Sequence, residues 1–466
     1  ITAAGFLPIG FAKSVAGEYT FSMFSVNVIA LLISWLVAVL FTPYLGYVLL
    51  KVKPAVNADG HHELFDTPFY AKLKAVVNWC VEWRKTTIVL TLAGFFLGVF
   101  GFKFIEQQFF PDSSRPELMV ELWLPEGSSY AATEAQAKKF EQFISKQPGV
   151  ESVTSYVGTG SPRFYLPLDQ IFPQSNVAQI VLLPVDKKTR DALRLKIIAL
   201  FKTDFPEVRG RVKLLPNGPP VPYPVQFKVA GPEMATVRTP RFVWEPGVVW
   251  REGRDWSITV QSDVIDGIQG PTVSAQIDPL LEPIRATLPP GYTVKLAGAI
   301  ADSGKAQQAI AANVPLVIFI VFTLLMLQLQ SFSRSLLVFL TGPLGVAGAA
   351  MALLILQRPF GFVAQLGVIA LFGMIIRNSV ILIDQIEQDI AAGIPAWDAI
   401  VGSAVRRFRP ISLTAATAVL AMIPLSSSVF WGPMAVAIMG GLVVATLLTM
   451  LFLPALYAAW FRVRRI

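Results

Sequence analysis

From Phe362 to Gln388 the chain is apolar enough to enter a lipid bilayer and long enough to leave it on the other side. As a helix rising about 1.5 Å per residue it spans roughly 40 Å, against a hydrocarbon core of about 30 Å. Arg377-Asn378 interrupts the run and sets a guanidinium somewhat past the midplane. An ionisable group at that depth costs at least about 2.5 kcal/mol, so it marks a candidate functional site. Ala370, Gly373, Arg377, Ile381, Asp384 and Gln388 recur at spacings of three or four, which predicts one inward-facing stripe that another helix approaches. Arg377 is either a coupling group for transport or a structural arginine that snorkels or pairs with Asp384.

Charged residues make up 15% of the 466-residue chain and hydrophobic ones 54%. Soluble domains carry about 25% charge, so the composition is that of a membrane protein with a soluble part. The net charge of +8 does not imply nucleic acid, because the cations cluster at the ends of apolar runs. Cys80 is the sole cysteine, and His61-His62 are the only histidines. No intramolecular disulfide can form, and a His/Cys metal site is not expected. Ile1 to Phe11 is apolar without a basic leader region, so the chain reads as entered partway through a longer polypeptide.

In order, residues 1–50 read as the end of a transmembrane half, with a full span from Phe21 to Leu50. Residues 51–85 form a basic cytoplasmic linker, within which Phe69 to Trp83 has the pattern of a surface-lying amphipathic helix. Residues 86–104 span again. Residues 105–310 have ordinary soluble character, and strand–helix–strand units predict an α/β sandwich there. Its segments include strands at Leu118–Leu124 and Val177–Pro184, helices at Ser128–Gln147 and Lys187–Phe205, and a helix at Pro271–Leu288. The loop from Gly158 to Tyr165 is either plain connection or a substrate gate. Residues 311–461 supply five more spans, with Asp389 to Arg409 as a basic connection, and 462–466 a basic tail. Counting crossings puts every basic loop on one side and the soluble domain on the other.

Phe6-Leu7-Pro8-Ile9, a polar turn, an apolar run and Thr42-Pro43 are echoed by Met422-Ile423-Pro424-Leu425, a turn, an apolar run and Leu453-Pro454. Two copies of one helical pair suggest a transporter of repeated halves, although two proline-marked spans also look alike by chance.

Several of these stretches carry a family resemblance. Gln328-Leu329-Gln330-Ser331-Phe332, Arg377-Asn378-Ser379-Val380-Ile381-Leu382, Arg406-Arg407-Phe408-Arg409-Pro410-Ile411-Ser412-Leu413-Thr414 and Pro433 to Leu456 together resemble the resistance-nodulation-division (RND) superfamily of proton-driven export pumps. The resemblance implies an α-helical membrane bundle plus an α/β periplasmic domain of ferredoxin-like porter subdomains. It implies homotrimers of twelve-helix protomers in the inner membrane of a Gram-negative bacterium, with a periplasmic adaptor and an outer-membrane channel as partners. Protons would pass through an aspartate pair on the fourth helix, a cation on the tenth and a hydroxyl on the eleventh. Arg377 matches the cation and Thr414 the hydroxyl, with Asn378 and Asp384 beside them. Gly158, Gly160, Phe164 and Tyr165 resemble the family's gating loop. This chain departs from the pattern in two ways: the fourth helix is absent, and the soluble segment is shorter than expected, with the gap placed at Thr239-Pro240.

The expected function is export of hydrophobic or amphiphilic small molecules on a proton gradient, as the C-terminal half of such a pump. The alternatives are a non-transporting membrane fragment or scaffold, and export of metal ions or lipids by the same fold. No P-loop and no G-x-S-x-G elbow appears, so ATP-driven and hydrolase chemistry lack support. No cofactor or resident metal is expected, and membrane lipid is the surrounding partner.

Overall fold

The computed structural model describes residues 2–49, 67–219, 221–232, 250–265 and 268–465. Residues 51–66 of the linker, with His61-His62, and the junction at Thr239-Pro240 lie outside the described residues. The chain divides into two units, Ile1–Glu106 with Lys305–Ile466, and Gln107–Gly304.

The first unit opens with two short helical turns, Thr2–Gly5 and Leu7–Gly10, then α1 (Val15–Leu49), which continues through Pro43. Helix α2 (Pro68–Glu82) starts on an extended Thr67 with Pro68 in its first turn, where the missing N–H costs nothing. It buries Val77, Cys80 and Val81 and packs against the helices Ala396–Ser426 and Gly432–Trp460, and Trp397 Nε1 donates to Asn78 Oδ1 at 3.0 Å. Val76 belongs to the same apolar side by its spacing but stays 47% exposed. Trp83 forms the corner from which α3 (Arg84–Gly101) departs.

In the second unit the chain runs β1 (Leu118–Trp123), α4 (Tyr130–Ile144), β2 (Val150–Val157), β3 (Val177–Pro184), α5 (Lys187–Thr203) and β4 (Arg209–Leu214). All pairings are antiparallel, in the order β2-β3-β1-β4, with Val120 opposite both Ile180 and Val212. This is a ferredoxin-like sheet. Ser129 and Asp186 cap the two helices, accepting from the backbone N–H of Ala132 and Thr189. Leu118, Val120 and Leu122 meet Phe140, Ile144 and Ile197 on one side. The two-residue period sends Met119, Glu121 and Trp123 to the other face. That face is also buried at Met119 and Glu121, so β1 is covered on both sides.

A second antiparallel sheet follows from β5 (Val225–Gly231), β6 (Trp250–Glu252), β7 (Asp255–Ser262) and β8 (Thr293–Ala297). Its order, β6-β7-β5-β8, repeats that of the first sheet. Between β7 and β8 the helix predicted over Pro271–Leu288 is broken. α6 covers only Gly270–Ile277, and the chain then passes through a 3₁₀ turn, Asp278–Leu281, into a short helix, Glu282–Thr287. Pro279 and Pro283 remove the N–H groups that a continuous helix needs there.

The remaining helices are α7 (Ala299–Leu329), α8 (Phe332–Ile355, through a 3₁₀ turn), α9 (Phe362–Ala391), α10 (Ala396–Ser426) and α11 (Gly432–Trp460). With α1 and α3, seven helices among the described residues are long and apolar enough to cross a membrane. The basic connection expected over Asp389–Arg409 is largely helix: α9 ends at Ala391, and α10 begins at Ala396 and continues through Pro410 and Pro424. Small residues let these helices approach closely. A Cβ on Gly348 would stand 2.6 Å from the Gly440 carbonyl oxygen, and one on Gly441 2.0 Å from Leu371 Cδ2.

Candidate functional site

Helix α9 presents two faces. Ile376, Ser379, Leu382, Ile383 and Ile386 are fully buried in the bundle, and Ser379 Oγ lies 2.9 Å from Thr341 Oγ1 on α8. Asn378 is buried as well. The predicted inward stripe divides along its length. Ala370 and Gly373 are buried, and a Cβ on Gly373 would come within 3.2 Å of Thr2 Cα in the first helical turn. Arg377, Ile381 and Gln388 are exposed. The lower stripe is therefore open rather than inward, because no described element covers it beyond Gly373.

Asp384 accepts from Gln388 Nε2 at 2.8 Å, and Arg377 makes no hydrogen bond or ion pair among the described residues. The pairing of Arg377 with Asp384 is thus not made. Thr414 on α10 is exposed and donates to its own helix, to the Ile411 carbonyl at 2.8 Å, so no hydrogen bond joins it to Arg377.

A set of charged contacts at the end of α9 is not foreseen by the sequence. Asp389 is buried and accepts from Ser403 Oγ, from Arg406 Nη2 and, at 3.1 Å, from Gln385 Nε2. Arg407 donates to Gln385 Oε1 at 2.6 Å. Glu387 takes the Tyr457 hydroxyl at 2.5 Å and the Arg334 guanidinium at 2.6 Å. The set joins α8, α9, α10 and α11. Burial without partners would cost each charge on the order of several kcal/mol, so the pairing is what makes the location tolerable. The one signal in the sequence is the i,i+4 spacing of Gln385 and Asp389.

In the second unit, residues 158–175 lie over the face of the first sheet that the helices leave free. Gly158 sits at φ +74° and donates to the Val177 carbonyl at 2.7 Å. Gly160 N–H donates to Ile171 O, and Ser161 N–H to Gln179 Oε1 at 2.7 Å. Tyr165 hydroxyl bonds Asn217 Oδ1 at 3.0 Å, with the Arg115 guanidinium over its ring. Leu168 is buried against Met119 and Leu215. The loop is anchored along its length, while Phe164 and Phe172 point outward and stay 47% and 67% exposed.

Beneath it lies Glu121, 2% exposed. Burial alone would raise its pKa, but Lys213 and Arg211 beside it hold the carboxyl below the usual range. Arg211 also grips Asp263 with two 2.7 Å bonds and stacks 3.7 Å above the Tyr223 ring. Asp169 is shifted the other way: burial raises it, and Glu121 adds to the effect.

A set of apolar helices interrupted in sequence by two antiparallel sheets of identical strand order matches the fold of the RND superfamily. The chain belongs to the AcrB/AcrD/AcrF family, whose sequence profile matches residues 1–217 and 233–460. That family comprises transporters rather than enzymes. The nickel-cobalt-cadmium resistance protein NccA of Alcaligenes xylosoxydans xylosoxydans is 32% identical over 173 residues, covering 36% of this chain and 16% of its own. The cobalt-zinc-cadmium resistance protein CzcA of Cupriavidus metallidurans is 26% identical over 339 residues, 69% of this chain and 31% of its own. The multidrug resistance protein MdtC of Yersinia pestis bv. Antiqua is 22% identical over 581 residues, 99% of this chain and 56% of its own. Among solved structures, the crystal structure of a heavy metal efflux pump matches with a TM-score of 0.73 at 19% identity, over 99% of this chain and 58% of that one. The chain thus spans little more than half the length of the relatives that cover it fully.

Proposed function

We propose that this chain is part of a proton-driven exporter in which Arg377 is the fixed cation of the coupling site. The observation that carries this is the open stripe of α9, where Arg377 stands inside a membrane-crossing helix, exposed and unpaired among the described residues. A guanidinium at that depth calls for an anionic partner. Asp384 accepts from Gln388 and makes no ion pair with Arg377, and the aspartate pair that the family resemblance implies is the matching partner. Arginine keeps its proton, so the acids carry the proton and Arg377 reorients against them. Thr414 and Asn378 are the polar neighbours of that step.

The cargo is a hydrophobic or amphiphilic compound that passes beneath the loop holding Gly158, Gly160, Phe164 and Tyr165. The working protein is a homotrimer in the inner membrane of a Gram-negative bacterium, with unit Gln107–Gly304 in the periplasm, joined by an adaptor and an outer-membrane channel. The name of MdtC supports this cargo. Divalent metal cations are the alternative, favoured by the names of NccA and CzcA. Among the described residues no group of three or more His, Cys, Asp or Glu is arranged to hold a metal ion.

The test is efflux of a cationic dye and of Co²⁺ or Cd²⁺ from pump-deficient cells. Three strains are compared: this chain alone, this chain with a first-half segment of a relative, and that pair with Arg377→Ala. Dye export by the pair, abolished by Arg377→Ala at equal expression, is the expected result. Metal export instead of dye export assigns the alternative cargo. A pair that inserts and exports neither overturns the proposal.

A further inference from the structure

At the corner between α2 and α3, a groove of about 210 Å³ opens on the surface of the helical unit. Trp79, Cys80, Leu90, Leu447, Leu451 and Phe452 line it. The Thr87 hydroxyl on its wall is satisfied internally, donating to the Cys80 and Trp83 carbonyls, so the wall behaves as apolar. Arg84 precedes the groove-lining Thr87 by three residues, on the same face of α3. Arg84 Nη1 donates to the Ala458 and Val463 carbonyls at 2.9 and 2.6 Å, which ties the start of α3 to the end of α11. Lys85 adjoins it on one chain segment, and Arg462 and Arg464 on the other, all three exposed. Trp79, Trp83 and Trp460, at 51%, 57% and 42% exposure, surround the same corner. Exposed tryptophans sit at the headgroup level of a bilayer, and basic pockets between membrane helices recognise anionic headgroups.

We infer that this groove holds one acyl chain of an anionic phospholipid, whose phosphate group lies among Arg84, Lys85 and Arg464. The apolar groove supplies affinity for any lipid tail. The cations at its lower end supply the preference for a negative headgroup, at about fivefold in affinity per cation.

The experiment is native mass spectrometry of the full chain in detergent, titrated separately with phosphatidylglycerol and phosphatidylcholine. One bound phosphatidylglycerol, held severalfold tighter than phosphatidylcholine, is expected. Lys85→Gln with Arg464→Gln leaves the Arg84 bonds intact and should lower the preference for phosphatidylglycerol about fivefold for each cation removed. Leu451→Trp fills the groove and should reduce both. Equal binding of the two lipids by the unmodified chain overturns the inference. So does a preference left unchanged by the double substitution, or a chain dimer that Leu451→Trp dissociates.

Discussion

Thr341 and Ser379 share a 2.9 Å hydrogen bond inside the helix bundle, both hydroxyls closed off from solvent. Ser379 stands two positions from Arg377, so α9 carries a satisfied polar contact on one side and an unsatisfied cation on the other. Ser379→Ala strands the Thr341 hydroxyl only in part, because Thr341 also donates to the Val338 carbonyl at 2.6 Å. A loss of about 1 kcal/mol is expected for either Ser379→Ala or Thr341→Val, with a coupling of about 0.6 kcal/mol between them. A double-mutant cycle on unfolding in detergent reads it, and strict additivity would deny the contact any weight.

Asp389 serves three donors at once, so Asp389→Asn should cost more than any single donor substitution, about 1–3 kcal/mol. Ser403→Ala, which removes one donor from an otherwise complete set, should cost the lower end of that range. Thermal midpoints of the purified chain in detergent compare them. A melting point for Asp389→Asn equal to that of the unmodified protein would show that the set contributes nothing.

Glu121 and Asp169 respond to pH with opposite signs. The folded pKa of Glu121 is lowered, so its contribution is present at neutral pH and lost as pH falls through the depressed value. Glu121→Gln should therefore lower the midpoint of the second unit at pH 7, by a margin that narrows in acid. The folded pKa of Asp169 is raised, so its stabilising contribution is present in acid and lost as pH rises through the carboxylate range. Asp169→Asn should raise the midpoint at pH 7 and leave it unchanged well below that range. Parallel shifts at both pH values would contradict these assignments.

Two glycines with positive φ separate strain from crowding. Gly127 at φ +84° has nothing within 4 Å of where an alanine methyl would stand, so Gly127→Ala should cost about 1 kcal/mol from backbone strain alone. Gly158 at φ +74° would also set its methyl 2.9 Å from Tyr130 Cε2, and Gly158→Ala should cost roughly twice as much. Protease sensitivity within residues 158–175 should rise only for the second variant.

The spans are legible in the sequence because a long apolar run satisfies its backbone only as a helix in a lipid environment. The Arg377 stripe is misleading for a related reason. Periodicity at 3.6 residues names a face but not its neighbour, and Gly373 finds one in the first helical turn while Arg377 and Ile381 stay exposed. The connection expected over Asp389–Arg409 stops just before Pro410, yet α10 runs from Ala396 through that proline, since a proline inside a helix bends the backbone without always ending it. The contacts at Asp389 and Glu387 are invisible to local pattern because Ser403, Arg406, Arg334 and Tyr457 come from other helices. Glu121 follows the strand's alternation, but nothing local says that the loop at 158–175 closes over that face.

Pro410 and Pro424 have a mechanical consequence for α10. Each lacks an N–H, so the carbonyls of Arg406 and Leu420 lose their helical donors, and the rod is softened at two levels. Between the two levels lies a stretch of about four turns that carries Thr414. Bending is therefore easiest at those two levels, and Thr414 is carried on the segment between them, with the Arg406–Asp389 contact at one end and the turn after Ser426 at the other.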